Sequence, residues 1–233
     1  MISKIEIRFD EDPQAKPLIW DFNFSVTRSV LLDSSKRKEE EWTALENEKC
    51  PSCTLDSAVE PQCPVAVILA SYAKELFNRH STDLVTVRAW SASGRLLVLP
   101  GIQLQEVTGE LVRLAVFQSG CPIGRKMRHA VEFLPPFPDD KEIAKSFALH
   151  LALEDRKHKR SLFDFGKNTI VKDLNELTSL FECLSRRIRP ITLGDAQVNG
   201  VLIYHSLAMM MAISLPEQIQ SAMKEISQDD VKS

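Results

Sequence analysis

Residues 50–77, CPSCTLDSAVEPQCPVAVILASYAKELF, decide the fold, because a cysteine-bearing loop gives way here to a helix. Cys50, Cys53 and Cys63 all stand in the loop. Beyond Cys63, apolar residues recur at steps of three and four, which is the spacing of one helix face. Pro64 suits the first helical turn, where the N–H group that proline lacks would have no partner. The stretch therefore predicts a helix that begins directly after the third cysteine.

The residues before this stretch have the pattern of strands. Residues 2–9, ISKIEIRF, alternate between apolar and charged side chains, which is the period of a half-buried strand. Residues 17–30 are rich in aromatic and β-branched residues and predict a second strand. Turn-forming residues lie between the two, so a hairpin is expected. Residues 41–48, EWTALENE, are predicted as a third short strand.

A second hairpin and a second helix are predicted after the first helix. The segments DLVTVRAW and RLLVLP flank SASG, where Gly94 would supply the turn. Residues 102–119 carry an apolar stripe at helical spacing, and Gly120 follows where a C-cap glycine is favoured. These patterns place strands and helices together in the first half of the chain.

The pattern after Pro138 is helical throughout. Residues 139–158 begin with acidic and end with basic residues, as the helix dipole favours. Residues 168–189 predict an amphipathic helix capped by Asn168 or Thr169, and a last long helix is expected from near Asp195. We expect Pro216 to kink or end that helix.

These elements define an α+β fold with N-terminal hairpins and two helices, followed by a C-terminal helical part. The predicted division is an α+β domain over residues 1–134, carrying the four-cysteine site, and a helical region over residues 139–228 that packs on it. A single domain is the alternative, since 233 residues fit either arrangement.

The composition is that of a soluble globular protein, with 44% hydrophobic and 26% charged residues. A formal net charge of −3 gives no drive toward nucleic acid or an acidic membrane surface. The N-terminus lacks the apolar core of a signal peptide, so a cytoplasmic location is expected. The apolar residues 198–215 predict a core helix or a homodimer interface rather than a membrane span. We expect a protein partner, which the sequence does not identify, with homodimerisation through residues 195–215.

Four cysteines are the candidate metal ligands: Cys50, Cys53, Cys63 and Cys121. The C-x2-C pair is the common two-ligand loop of tetrahedral zinc and of iron–sulfur sites. Proline follows Cys50, Cys63 and Cys121 and restricts the chain beside each ligand. We expect structural zinc, because a four-thiolate shell has no open position for substrate. The Cys-Pro steps keep an iron–sulfur cluster, with an electron-transfer or redox-sensing role, as the alternative.

Two further interpretations of the thiols remain open. Cys50 and Cys53 could form a redox pair, although no thioredoxin-like pattern surrounds them. The basic residues that follow Cys121 could offset the charge of a metal site or could form a surface turn. Cys183 lies in an amphipathic helix and is predicted to be a small core side chain. Because no catalytic constellation is present, we expect a binding or regulatory module rather than an enzyme.

The cysteine segments also carry a resemblance to a known family. The segments are CPSCTLD at 50–56, CPVA at 63–66 and SGCP at 119–122. They resemble the CPxCxLD, CPVA and SGCP segments of an uncharacterised bacterial family of unknown function. The resemblance spans most of the chain and implies that the four cysteines act together in a bacterial, cytoplasmic protein. It implies no reaction.

Overall fold

The structure is a computed structural model. It describes residues 2–25, 29–32, 37–132, 134–139, 141–143, 145–147, 149–150 and 169–229, with side chains described for all of these except 169–171 and 214–229.

Two hairpins join to form the main sheet. The strands are β1 (Ile2–Phe9), β2 (Leu18–Asp21), β3 (Asn23–Phe24), β4 (Val30–Leu31), β5 (Leu84–Ser91) and β6 (Leu96–Gln103). β1 pairs with β2 and β5 pairs with β6, which confirms both predicted hairpins. Gly94 lies in the second turn with a φ of +81°, a conformation that glycine adopts without strain. β1 also pairs with β5, so the antiparallel sheet has the order β2-β1-β5-β6, and β3 and β4 form a separate ribbon.

Helices occupy one part of the N-terminal half and most of the described C-terminal part, so the predicted α+β class is confirmed. Residues 141–143, 145–147 and 149–150 are also helical, whereas 151–158 of the helix predicted over 139–158 lie outside the described residues. The named helices are α1 (Pro64–Ala73), α2 (Leu104–Phe117), α3 (Pro122–Lys126), α4 (Arg128–Val131), α5 (Thr169–Ile188) and α6 (Ala196–Asp229).

One hydrophobic cluster runs through both halves of the chain. Ile5 and Ile7 of β1 face the same side of the sheet as Val87 and Ala89 of β5, and each is at most 1% exposed. The buried faces of α1, α2, α5 and α6 belong to the same cluster. Burial of a side chain of isoleucine size contributes about 1.5–3 kcal/mol, so this cluster is the main source of stability.

Close contact between α2 and α6 depends on glycine. A Cβ atom at Gly200 would lie 2.3 Å from the Thr108 hydroxyl oxygen. That hydroxyl donates to the carbonyl of Ala196 at 2.8 Å, which ties the start of α6 to α2. The last helix, α6, is therefore packed directly on the helix that follows the sheet.

The strand predicted over residues 41–48 is wrong. Glu41–Thr43 form a 3₁₀ turn, and Ala44 makes an isolated bridge with Gln62. The Thr43 hydroxyl donates to the Glu40 carbonyl at 2.7 Å, a local bond that competes with strand pairing. Trp42 and Thr43 are both buried, whereas successive residues of a strand point to opposite faces.

Helix ends differ from expectation at two places, and a third expectation, a cap at Asn168, stays a prediction. α2 has Gln118 as its C-cap, and Gly120 is not among the described glycines with positive φ, so Gly120 is not a left-handed cap. α6 continues past Pro216 to Asp229, so the proline does not end it. Asn168 lies outside the described residues, and Thr169 is already helical.

The last helix is only partly buried. Tyr204 and Met211 are less than 10% exposed, whereas Met210 is 64% and Ile213 is 76% exposed. By length and composition alone, Ala196–Ile213 is the one segment of the described chain that could cross a membrane, and half of it is buried within the protein. Core helices of soluble proteins also meet this criterion.

Candidate functional site

The segment between the 3₁₀ turn and α1, residues 44–63, is called the cysteine loop below. Its two ends are joined by the backbone, since Leu45 N–H donates to the Pro61 carbonyl and Cys63 N–H to the Thr43 carbonyl, both at 2.8 Å. Within the loop, Cys53 N–H donates to the Cys50 carbonyl at 2.9 Å and closes a turn. The three cysteines of the loop are half-buried.

Two cysteines stand immediately before helices in the same way. Cys63 is the N-cap of α1 and Cys121 is the N-cap of α3, and each is followed by proline at the first helical position. The prediction that a helix begins after Cys63 is therefore confirmed. Close packing fixes the position of α3, because a Cβ atom at Gly124 would lie 2.0 Å from the Val116 carbonyl oxygen. Cys121 is held against the end of α2 as a result.

All four predicted cysteines line one cavity, called the thiol cavity below. Cys183 of α5 lines it as well, so side chains from the cysteine loop, α3 and α5 meet there. The space open to the centre of a water-sized sphere is about 30 Å³, which is enough for one or two such spheres. Among the lining residues, the other walls are mainly apolar and include Leu45, Leu55, Val65, Ile123, Leu180 and Leu184.

Cys183 was predicted as a core side chain, and it is buried, with 2% exposure. Its position in the sequence does not group it with the other cysteines. Arg186 donates a hydrogen bond from its Nη2 atom to the Cys183 sulfur at 3.1 Å. The thiol therefore has a polar contact that an ordinary core position would lack.

Arg187 is the second functional residue that the sequence analysis missed. It is 4% exposed and donates to the carbonyl oxygens of Trp42 at 2.8 Å, Ala44 at 2.5 Å and Leu45 at 3.3 Å. The signal was an arginine at the end of the apolar stripe that also holds Leu180 and Leu184. Its guanidinium fixes the start of the cysteine loop to α5.

The cations beside the cavity differ from those considered in the sequence analysis. Lys49 and Arg187 line the cavity, whereas the basic residues after Cys121 are not among the lining residues. Lys126 instead pairs with Asp173 at 3.4 Å and with Glu176. Lys126 therefore contacts α5 rather than the thiols.

Burial keeps two of the thiols protonated. It raises the pKa of Cys121 to about 12, with N–H donors of Gly124 and Ile123 acting in the opposite direction. Burial also raises the pKa of Cys50 far above its usual range, and Cys183, Cys63 and Cys121 add to the effect. A neutral thiol is a poor nucleophile, so without a bound cation these two thiols are not activated for chemistry.

The thiols share a cavity without forming a ligand shell. In the part of the chain that the structure describes, no group of three or more His, Cys, Asp or Glu side chains is arranged so that it could hold a metal ion. Zn–S bonds are about 2.3 Å long, so bound zinc would require the sulfurs to draw together.

The fold and the site define an α+β domain whose cysteine loop is joined to helices around a thiol-lined cavity. The chain belongs to the family described as Domain of unknown function (DUF6901), whose model matches residues 6–228. This confirms the expected membership of a family of unknown function, while the bacterial origin and the three motif segments stay predictions. Comparisons with curated proteins and with solved structures give no match.

Proposed function

We propose that this chain is a zinc-dependent binding or regulatory module of the cytoplasm, in which Cys50, Cys53, Cys63 and Cys121 hold one structural Zn²⁺. The observation that carries the proposal is that these thiols, from the cysteine loop and from the start of α3, line one small cavity. Four thiolates close the shell of zinc and leave no place for substrate. The ion would act as a staple between the loop and the helices.

The surroundings of the cavity suit an anionic zinc–thiolate centre. Four thiolates on Zn²⁺ leave an excess of negative charge, and the cavity wall holds two cations, Lys49 and Arg187, against one carboxylate, Glu48. The N–H groups of Gly124 and Ile123 lower the pKa of the Cys121 thiol, against the larger effect of burial, and so favour its thiolate. Because Cys50 and Cys121 must lose protons to bind, zinc affinity should fall steeply as the pH is lowered.

Zinc needs only the four thiols, whereas a cluster also needs several irons and bridging sulfides. The proline after Cys50, Cys63 and Cys121 favours the alternative, an iron–sulfur centre with a role in electron transfer or redox sensing. A single measurement distinguishes the zinc proposal from the iron–sulfur proposal.

That measurement is elemental analysis together with a visible spectrum of anaerobically prepared protein. We expect one zinc per chain and no visible absorbance. Cys50→Ser and Cys121→Ser should each lose most of the zinc, while Ser52→Ala, inside the same C-x2-C turn, should keep it. Stoichiometric iron with visible absorbance would replace zinc by a cluster. Wild-type protein without stoichiometric metal of either kind would reject both proposals.

We further propose that the module acts as a homodimer through residues 195–215. The supporting observation is an exposed apolar face on α6, formed by Met209, Met210 and Ile213. Exposed apolar patches of this kind are common at protein interfaces. Sedimentation should give a dimer that Ile213→Glu converts to monomer. A wild-type monomer at high concentration would reject this part of the proposal without affecting the zinc site.

A further inference from the structure

The thiol cavity holds one more cysteine than a zinc ion can use. Tetrahedral zinc takes four ligands, and five cysteines line the cavity. The four proposed ligands lie in the cysteine loop or at the start of α3, whereas Cys183 lies inside α5, between Leu180 and Leu184. Cys183 is therefore the thiol left over once the metal shell is complete.

Cys183 lies in the wall of the same cavity as Cys50, one of the proposed ligands. The pKa of the Cys50 thiol is raised mainly by burial and next by Cys183. Both side chains line the same cavity, although they come from different halves of the chain. Cys50 is half-buried and Cys183 is buried, so a small solute would reach Cys50 first.

Arg186 contacts both Cys183 and a residue close to Cys50 in sequence. Its Nη2 atom donates to the Cys183 sulfur at 3.1 Å, and its Nε atom donates to Glu48 at 2.8 Å, two residues before Cys50. Glu48 has a φ of +50°, a left-handed conformation that is unfavourable for a residue other than glycine. The exposed ion pair therefore lies at a strained turn, two residues before Cys50.

We propose that Cys50 and Cys183 form a reversible disulfide when a peroxide oxidises the zinc-bound thiolate of Cys50, and that this releases the metal. The proposal rests on the zinc site proposed above. It makes Cys183 the resolving thiol of a redox-sensitive metal site. The new disulfide would join the cysteine loop to α5. It would thus replace the zinc ion as the link between the loop and the helices.

The chemistry balances with hydrogen peroxide as the oxidant. The Cys50 thiolate attacks one peroxide oxygen, the O–O bond breaks, and Cys50 sulfenic acid and hydroxide form. The Cys183 thiol then attacks the Cys50 sulfur, so that the S–S bond forms and the sulfenic oxygen leaves as water. Each cysteine sulfur loses one electron and peroxide gains two. Zinc leaves as Zn²⁺ with its oxidation state unchanged.

The test uses the zinc-loaded full chain, treated with hydrogen peroxide. Zinc release is followed with a chromogenic chelator, and disulfides are mapped by mass spectrometry of non-reduced peptides. We expect a Cys50–Cys183 peptide to appear in step with released zinc, and a dithiol reductant with added zinc to reverse both. A wild-type map dominated by Cys50–Cys53 or Cys63–Cys121 would overturn the proposal.

Cys183→Ala supplies the decisive variant, with Cys183→Ser as a second one in case the cavity left by alanine disturbs α5. Both should keep full zinc, and peroxide-driven release should slow about tenfold because the sulfenic acid then lacks a resolving thiol. Loss of zinc in both folded variants would make Cys183 a ligand and overturn its resolving role. A wild-type chain without metal would reject the zinc proposal and this one with it, whereas a zinc-loaded chain that forms no Cys50–Cys183 disulfide would reject this one alone.

Discussion

The four-stranded sheet and the cysteine loop meet at α1, and they are held together in different ways. The sheet is held by alternating apolar side chains, such as Ile7 and Val87, that are buried against the helices. The cysteine loop has few such side chains. It is held by backbone bonds at its two ends, by the Arg187 guanidinium and, in our proposal, by a metal ion. Apolar burial is distributed over many residues, whereas the loop depends on a few polar contacts.

The largest expected effect comes from the sheet. Ile7→Ala should lower the free energy of unfolding by about 2–5 kcal/mol, because it removes a fully buried side chain and leaves a cavity. Chemical denaturation with detection by circular dichroism measures the change. The folded fraction should still bind zinc, since the loop is not altered. Ile19 lies on β2 and is 45% exposed. Ile19→Ala is therefore the matched control and should change the free energy of unfolding by less than about 1 kcal/mol. Equal losses in the two variants would contradict the assignment of the core to one face.

The next effect concerns the position of Cys121. Gly124→Ala should cost about 3 kcal/mol, because the new methyl group would overlap the Val116 carbonyl and force α3 away from α2. Zinc should be lost together with stability, which distinguishes this variant from Ile7→Ala. Gly120→Ala is the control, since its nearest neighbour atom would be Pro64 Cγ at 3.6 Å, an ordinary contact. Retention of zinc in Gly124→Ala would show that the ion does not require this placement of Cys121.

Substitutions of the two arginines of α5, Arg187 and Arg186, test whether the cysteine loop opens independently of the sheet. Arg187→Met should cost roughly 2–3 kcal/mol, because three backbone carbonyls lose a buried charged donor. Hydrogen exchange should rise first in the cysteine loop and only slightly in the sheet. Arg186→Met should cost less than about 1 kcal/mol, since its pair with Glu48 is exposed. A uniform rise in exchange over both regions would indicate that loop and sheet open together.

The same contrast explains what could be predicted from the sequence. The hairpins and α1 were predicted because residues such as Ile5, Val85 and Leu69 repeat with the period of their element, and periodicity is a local property. The segment 41–48 was mistaken for a strand because its conformation depends on bonds to Gln62 and to Arg187, far away in sequence. Local patterns do not contain such contacts.

The thiol site, like the rest of the fold, was predictable only as far as local sequence patterns reach. Cys50, Cys53 and Cys63 were grouped by spacing, and Cys121 by its Cys-Pro step, and all of them line one cavity. Cys183 was not grouped with them, because its position on a helix stripe is equally that of a core residue. Only the packing of α5 against the cysteine loop brings it to Cys50. A charged residue on the same stripe, Arg187, is the sequence feature that distinguishes this stripe from an ordinary one.

The smallest expected effect is a pH dependence of the metal-free protein. The pKa of Cys121 is about 12 in the folded chain, against a reference value of 9.0. A raised pKa means that the neutral thiol is favoured in the folded state, so the contribution is complete below pH 9 and is lost as the pH rises toward 12. Cys121 alone should therefore lower the free energy of unfolding by about 1.4 kcal/mol for each pH unit between 9 and 12. Denaturant titrations of chelator-treated protein at pH 8, 9 and 10 measure this slope.

Cys121→Ala should lose this part of the slope, and any slope that remains should come from Cys50, whose pKa is also raised. A slope unchanged in Cys121→Ala would mean that Cys121 does not titrate as a buried thiol. Zinc-loaded protein should show no such loss, because its thiols are already ionised, and that contrast would locate the bound metal at the cysteine loop rather than in the sheet.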